Sequence, residues 1–412
     1  MSSVTVPGPG ASIVTVPLDG NAVSSLAHQI AGALAAAAAA NPPLAVQGIS
    51  SGAQPGSPAG GVNQLVISGG GGANSVGGFN FITNDNTSAD SISGAGPTEI
   101  LSGTVGGSFW VNGSSTVVAG GGPNVVVGQS GGTYLLATGN GNDTIFSSGG
   151  GTIAGGGGSN FLWAADSSDT SPVMFISDGT DTIAAGAGDD TIAAYGSNDL
   201  IFGGSGTLVV GAAPNSTISS GTGAETIYGA DNTLVFGNSS SGITFVAGSG
   251  TATVFGSDSA VTTVYGSANA NVTFQNVSTP GAVMASFGGN ETLSAASSNS
   301  ANTLSGSSGA DSLIGGSSTD VLWAGTGNTT MTGGAGADVF NVVSGHAGGT
   351  DVITDLAAND TVNLIGYGAG AAAAAIASAT VSGGSSTIHL SDSTSITFVN
   401  VANLSTTNIH SS

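Results

Sequence analysis

The chain has 412 residues, 23 Asp plus Glu and no Lys or Arg, for a formal net charge of −23. With no cation to neutralise phosphate, nucleic acid is excluded as a partner and anionic lipid is disfavoured. Its carboxylates have only His, the N-terminus, backbone N–H groups, water or a metal ion to pair with. Cysteine is absent, which excludes a disulfide framework and thiolate metal sites.

In chain order, residues 1–60 form the first predicted region. Asn21 caps a predicted helix that runs through Leu26, Ile30 and Leu34 into Ala35–Ala40 and stops at Pro42 and Pro43. Its three large apolar side chains share one face. A signal peptide needs a basic n-region, and none is present. The apolar stretch is too short for a membrane span and is interrupted by His28 and Gln29. The segment is expected to cap the open end of the repeat region or to contact another subunit, with Gln47–Gly61 as its linker.

Residues 61–366 are short β-runs divided by Gly, Ser, Asn and Asp. The 73 glycines of the chain on their own would favour disorder, but 39% hydrophobic residues are more than an unfolded chain carries. Two stretches keep a nine-residue period. From 176 the blocks read ISDGTDTIA, AGAGDDTIA, AYGSNDLIF and GGSGTLVVG; from 297 they read SSNSANTLS, GSSGADSLI, GGSSTDVLW, AGTGNTTMT and GGAGADVFN. Asp181, Asp190 and Asp199 hold place six in the first stretch. Asn302, Asp311, Asp320, Thr329 and Asp338 hold it in the second. Ile183, Ile192, Ile201 and Val210, and later Leu304, Leu313 and Leu322, recur at place eight. An isolated copy, TGNGNDTIF, carries Asp143. A period of nine fits neither a helix nor a hairpin, and implies a coiled parallel sheet.

Each block divides into a turn and a strand. Gly at places two and four permits positive φ and a tight bend. Asp at place six adds a carboxylate, and oxygen-only donors on loops suit a hard cation, Ca²⁺ above all. Place eight points inward. Two blocks make a coil of about 18 residues, so Asp181 and Asp199 fall on one edge, as do Asp320 and Asp338, with Asn302 one coil earlier. The competing role for each Asp is a turn residue bonded to its own backbone. About 300 residues at this pitch make roughly 17 rungs spaced by about 4.8 Å, a rod near 80 Å.

The motifs GNGND (139–143), GAGDD (186–190), GSSGAD (306–311) and GGAGAD (333–338) resemble the RTX, or haemolysin-type, calcium-binding nonapeptide repeat. Residues 333–364 resemble the end of an RTX β-roll, where the last repeat runs into a segment here marked by Asp351, Ile353, Asp355 and Leu356. The resemblance implies an all-β, right-handed parallel β-solenoid with Ca²⁺ between stacked turns. It also implies export by a type I secretion machinery that reads an uncleaved C-terminal signal. Departures are plain: place six is Leu208, Thr329 and Glu225 in three blocks, so only a few full calcium sites are expected. The metal ligands expected are Asp143, Asp181, Asp190, Asp199, Asp311, Asp320 and Asp338.

Place nine should face outward, yet it holds Phe146, Phe202, Tyr228 and Trp323. A related series, Tyr228, Phe236, Phe245, Phe255, Tyr265 and Phe274, recurs every eight to ten residues. These rings are expected to stack outward, either rigidifying the coils or presenting an assembly surface at Phe236, Phe255 and Trp323. Residues 367–412 close the chain with a short predicted helix, Ala371–Ala377, and two strands, Thr387–Ser391 and Ser395–Asn400, which form the second cap and carry the expected secretion signal.

No catalytic constellation stands out. The four histidines are His28, His346, His389 and His410, none in an H-E-x-x-H pattern, and His346 reads as a solvated loop residue. Gly/Ser tracts match nucleophile-elbow patterns by composition alone. Three functions suit such a chain to different degrees. A secreted, self-assembling calcium-binding structural protein, found in a filament, surface layer or biofilm matrix, fits best. A polysaccharide-acting enzyme or carbohydrate-binding effector would ordinarily use Lys or Arg, and a flat Thr surface would need more regular threonines. The absence of any trypsin-type cleavage site suits an extracellular life.

Overall fold

The computed structural model describes all residues except 1, 19–20, 51, 57–59, 70–71, 104, 130–131, 166–168, 239, 258, 277–279 and 346–348; His346 lies outside the described residues. The chain divides into two compact units, Met1–Val210 and Gly211–Ser412. Both carry the expected fold, a right-handed parallel β-solenoid, with about 16 turns among the described residues.

In the N-terminal unit, successive strands alternate between two parallel sheets. Strands Val173–Ser177 and Asp190–Ala194 pair in one sheet, and Thr182–Ala184 and Leu200–Phe202 in the other. Partners are 18 residues apart where Ile183 meets Ile201, and 17 apart where Phe175 meets Ile192. Ile183, Ile192 and Ile201 are buried between the sheets. Alternation along a strand sends every second side chain inward, and burying one Ile or Leu contributes roughly 1.5–3 kcal/mol.

Residues 2–18 and 21–38 pack as a lateral cover. Strands Ser2–Pro7 and Ile13–Leu18 make an antiparallel hairpin, and helix α1 spans Asn21–Ala38. The buried face of α1 is Val23, Ala27, Ile30 and Leu34, with Leu26 at its border. That face and the hairpin bury Phe81, Leu101 and Val118. In strand Thr116–Ala119 both Val117 and Val118 are buried. Because neighbours on a strand point oppositely, the solenoid packs one of them and the cover the other. Pro9 lies against Gly48, where a Cβ would sit 2.4 Å from the ring, so the cover also reaches strand Ala45–Ser50, which starts its sheet.

The C-terminal unit repeats the two-sheet plan. Coil length varies in both units, from 17 residues at Phe175 and Ile192 to 22 at Gly151 and Val173 in the first; in the second, partners are 18 apart at Leu304 and Leu322, 20 apart at Leu293 and Leu313, 21 apart at Val272 and Leu293, and 22 apart at Phe340 and Val362. The strands hold register while the turns absorb the extra residues, so the nine-residue phase is lost in the sequence and kept in space. Leu304, Leu313, Leu322, Met331 and Phe340 are all buried. At its end, Ser395–Phe398 joins Thr350–Ile353 and Ile409–Ser411 joins Thr361–Ile365, both in parallel. Helix α2, Ala371–Ala377, contacts both Ser385–His389 and Ile409–Ser411.

Glycine at places two and four meets the expectation at Gly334 and Gly336, with φ of +95° and +138°, but not in the earlier stretch. Gly186 and Gly204 do not enter the left-handed region. A Cβ on Gly204 would instead lie 1.6 Å from the Gly186 carbonyl oxygen, one coil earlier. Close stacking of one turn on the next, more than positive φ, excludes a side chain there.

Phe245 is fully buried and aligned with Ile227 and Val264. Phe245→Ala is expected to destabilise the protein by about 3–5 kcal/mol, read as a lower midpoint of denaturant unfolding; Phe236→Ala, at a half-exposed site, should cost clearly less.

Candidate calcium ladder

Place six lies where a turn enters a strand, and the structure links these residues from coil to coil. In the N-terminal unit the Asn124 N–H donates to Asp143 Oδ1 (2.7 Å), the Asp143 N–H to Asn160 Oδ1 (2.9 Å), the Asn160 N–H to Asp181 Oδ1 (2.8 Å) and the Asp181 N–H to Asp199 Oδ1 (2.8 Å). In the C-terminal unit the same bond runs from Asn302 to Asp320 (2.6 Å), from Asp320 to Asp338 (2.8 Å) and from Asp338 to Asp360 (2.9 Å). On the opposite edges, Asp190 accepts from the Val173 N–H, and Asp311 from the Glu291 N–H.

The second carboxylate oxygen closes the residue's own turn. Asp190 Oδ2 accepts from the Gly186 N–H (2.7 Å), Asp311 Oδ2 from the Ser307 N–H (2.6 Å) and Asp320 Oδ2 from the Gly316 N–H (2.5 Å). In each case the donor is the residue at place two. Asp181 Oδ2 instead takes the Ser177 hydroxyl (2.6 Å). The Asp at place six is thus a turn residue, and it also staples its turn to the coil before.

All seven predicted ligands are buried, and not all of their oxygens are used. Asp143 Oδ2, Asp199 Oδ2 and Asp338 Oδ2 are buried with no hydrogen-bond partner. The reason is visible in two cases. At Asp199 the place-two residue is Tyr195, whose N–H goes to the Ser177 carbonyl. At Asp338 the place-two Gly334 N–H is taken by Asp355 Oδ2 (2.8 Å) and the Gly333 N–H by Asp355 Oδ1 (2.9 Å). A bare, buried carboxylate oxygen in a chain without Lys or Arg is what a hard, oxygen-seeking cation would satisfy, so these residues fit Ca²⁺. Among the described residues no three acidic or histidine side chains converge, so main-chain carbonyls of the turns would have to complete each site.

Burial sets the electrostatics. Desolvation raises the carboxyl pKa of Asp143, Asp181, Asp190, Asp199 and Asp320, against N–H and hydroxyl donors that pull it down. Asp338 is pushed up to about 6, first by desolvation and then by Asp360, Asp320 and Asp355. Glu291 and Asp351 reach about 7, again chiefly by desolvation, with Asp311 adding at Glu291 and Asp392 at Asp351. Two acids of the ladders, Glu291 and Asp360, were not singled out from sequence, and Asp351 was marked there only as part of the terminal segment, not as a ladder acid. Glu291 stands at place six of SFGGNETLS (286–294), but Ala295 and Ala296 then break the phase. The other two follow turns lengthened to a 22-residue coil.

The aromatic series separates by strand parity. Phe236 and Phe255 face outward and stack with centroids 5.0 Å apart and planes 6° apart. Trp323 is half-buried, between Ser305 and Asn341 on the adjoining strands. Phe245 and Phe274 differ from the expectation: both are buried in the core, because a spacing of eight to ten residues does not preserve the inward or outward sense across turns of unequal length. A second outward cluster, Phe146, Phe161 and Trp163, meets edge-on at 5.3 and 6.1 Å.

The RTX calcium-binding nonapeptide repeat family matches residues 175–207 and 297–331, in four copies. No curated protein matches the chain. The matched segments contain Asp181, Asp190, Asp199, Asp311 and Asp320, and repeats of this family bind calcium. Among the described residues no helix is long and apolar enough to cross a membrane.

The raised carboxyl groups make a pH prediction for the metal-free protein. In the unfolded chain these acids lose their protons near pH 4; in the fold Glu291, Asp351 and Asp338 hold them to about 7, 7 and 6. Folding thus takes up protons, and the stabilisation is complete below about pH 4 and lost as pH rises through 6 to 7. In chelator, the melting temperature is expected to be higher at pH 5 than at pH 8. Saturating Ca²⁺ should narrow or reverse that difference.

Proposed function

We propose that this chain, which carries RTX calcium-binding repeats on a β-solenoid, is a secreted structural protein. It orders around Ca²⁺ outside the cell and assembles with further copies of itself into a filament, surface layer or biofilm matrix. The observation that carries this reading is the ladder of buried place-six acids, with bare oxygens at Asp143, Asp199 and Asp338, in a chain that has no Lys or Arg. Calcium would be held by Asp143, Asp181, Asp190, Asp199, Asp311, Asp320 and Asp338, and when bound it supplies the positive charge that the chain lacks.

Extracellular modules bind calcium at about 10⁻⁴–10⁻³ M. In a low-calcium cytoplasm the polyanion would stay loosely folded, in a state suited to passage through a type I secretion machinery, and it would order on arrival outside. Assembly follows from repetition: outward residues recur on every coil, so a contact made once is available along the whole sheet. The stacked pair Phe236 and Phe255, with Trp323, supplies apolar, uncharged surface on an otherwise acidic molecule.

Electron microscopy of the purified protein with about 5 mM Ca²⁺ and with chelator tests the reading. Ordered filaments or sheets are expected with calcium, and dispersed particles without it; dispersed particles under both conditions would overturn assembly. A calcium titration followed by circular dichroism should show gain of β signal, and a flat titration would remove calcium as the ordering ligand. The double variant Phe236→Ser/Phe255→Ser should keep the calcium-induced β signal and lose assembly. Full assembly by that variant would take these rings out of the contact.

A further inference from the structure

We propose that the outward face of one sheet of the N-terminal unit binds an extended, uncharged polysaccharide of the flat, β-linked kind. The site is a straight strip of aromatic and aliphatic side chains with a groove at one end. It uses none of the place-six acids and none of the rings proposed above for assembly.

Six successive strands of the sheet form the strip, from Gly107–Val111 to Leu200–Phe202. Trp110, Val127, Phe146, Trp163, Ala184 and Phe202 stand in register, one on each coil. A second column, two residues earlier on the same strands, carries Val125, Phe161 and Leu200. Val126, Ile145, Leu162 and Ile183, which lie between the columns, are buried, so both columns point outward by alternation. Trp163 and Phe202 are each 42% exposed, and Phe161 is 39% exposed. The lateral cover leaves this face open, because it packs on the other sheet, at Leu101 and Val118.

The two outward positions on each strand hold no charged residue, and three of them, Ser108, Thr144 and Thr182, carry a hydroxyl. A basic ligand finds no counter-charge on the strip, and the field of a chain of net charge −23 repels an anionic one. Five strand spacings of about 4.8 Å make the strip roughly 24 Å long, with its columns about 7 Å apart. Such a surface is on the order of 300 Å², well short of the about 800 Å² that each partner gives to a stable protein complex. The strip alone is too small for a contact between copies, but it matches one extended chain. The coil spacing is close to the length of one sugar ring in a stretched polysaccharide. Constant register keeps the columns straight, which suits a flat ribbon and not a helical glucan.

At one end of the strip a groove of about 320 Å³ is lined by Val76, Ser93, Trp110, Asn112 and Gln129. Ligand pockets of this size pair an apolar surface with a few polar groups that fix orientation. Here Trp110 supplies the ring, and the Asn112 and Gln129 amides supply both donors and acceptors. A sugar ring has the matching chemistry: C–H groups on its face pack on an indole, and hydroxyls at its rim pair with amides. An uncharged sugar needs no Lys or Arg.

Retention of the full chain on cellulose and on chitin, in buffer containing Ca²⁺ and with cross-linked dextran as comparator, tests the site. The wild type is expected to bind cellulose or chitin and to pass through dextran. Trp110→Ala/Trp163→Ala should bind at least about tenfold more weakly, whereas Phe236→Ala/Phe255→Ala should bind as the wild type does, with circular dichroism confirming each fold. No retention on either polysaccharide, equal retention on dextran, or retention that the double Trp variant keeps would each overturn the site. If that variant fails to fold, Trp323→Phe leaves Trp110 and Trp163 as the reporters. Cellohexaose or chitohexaose is then expected to shift their fluorescence, and no shift with either would overturn the proposal. An oligomeric wild type that becomes monomeric in the double Trp variant, with no glycan bound by either, would assign the strip to a contact between copies and overturn it as well.

Discussion

The structure depends on burying carboxylates in a chain that has no positive side chain to meet them. Taking an unpaired carboxylate out of water costs several kcal/mol, and in most proteins Arg or Lys would compensate. Here the compensation comes from backbone amides: one N–H from the coil before and one from the residue's own turn. Two amides per acid is a good but finite supply. Where a neighbouring acid takes one of them, as Asp355 does from Asp338, the charge is left uncovered and the fold has a place for a metal ion. The same arithmetic therefore accounts for both the ladder and the gaps in it.

Much of this was legible in the sequence. Nine-residue spacing identified the coil, and the place-eight residues Ile183, Leu313 and Leu322 are all in the core. The edge partners Asp181 and Asp199, and Asp320 and Asp338, lie on adjacent coils joined by hydrogen bonds of 2.8 Å. The helix over Ala371–Ala377 stands where the alanine run placed it. What escaped did so for identifiable reasons. The hairpin Ser2–Pro7/Ile13–Leu18 rests on short alternations of Val and Thr that are weak until a helix covers them. Glu291, Asp351 and Asp360 sit behind turns of altered length, and a fixed period cannot follow a coil that ranges from 17 to 22 residues. Phe245 and Phe274 turned inward because parity belongs to the strand, not to the count between aromatic residues.

Glycine has a related lesson. In the ordered repeats it is required less by the bend of its own turn than by the carbonyl of the turn beneath it. The contact between Gly204 and the Gly186 oxygen is between residues 18 apart, so the demand for glycine is tertiary although the motif looks local.

The ladder bonds all point one way. In each pair the amide belongs to the earlier coil and the side-chain oxygen, a carboxylate except at Asn160, to the later one, from Asn124 through Asp199 and again from Asn302 through Asp360. A coil already in place thus offers ready acceptors to the segment that precedes it in sequence, and offers only amides to the segment that follows. The two ends of a stack are chemically unlike: one displays side-chain acceptors, the other backbone donors. Order can therefore spread by templating from the C-terminal side of each ladder, with every coil acting as the mould for the one before it.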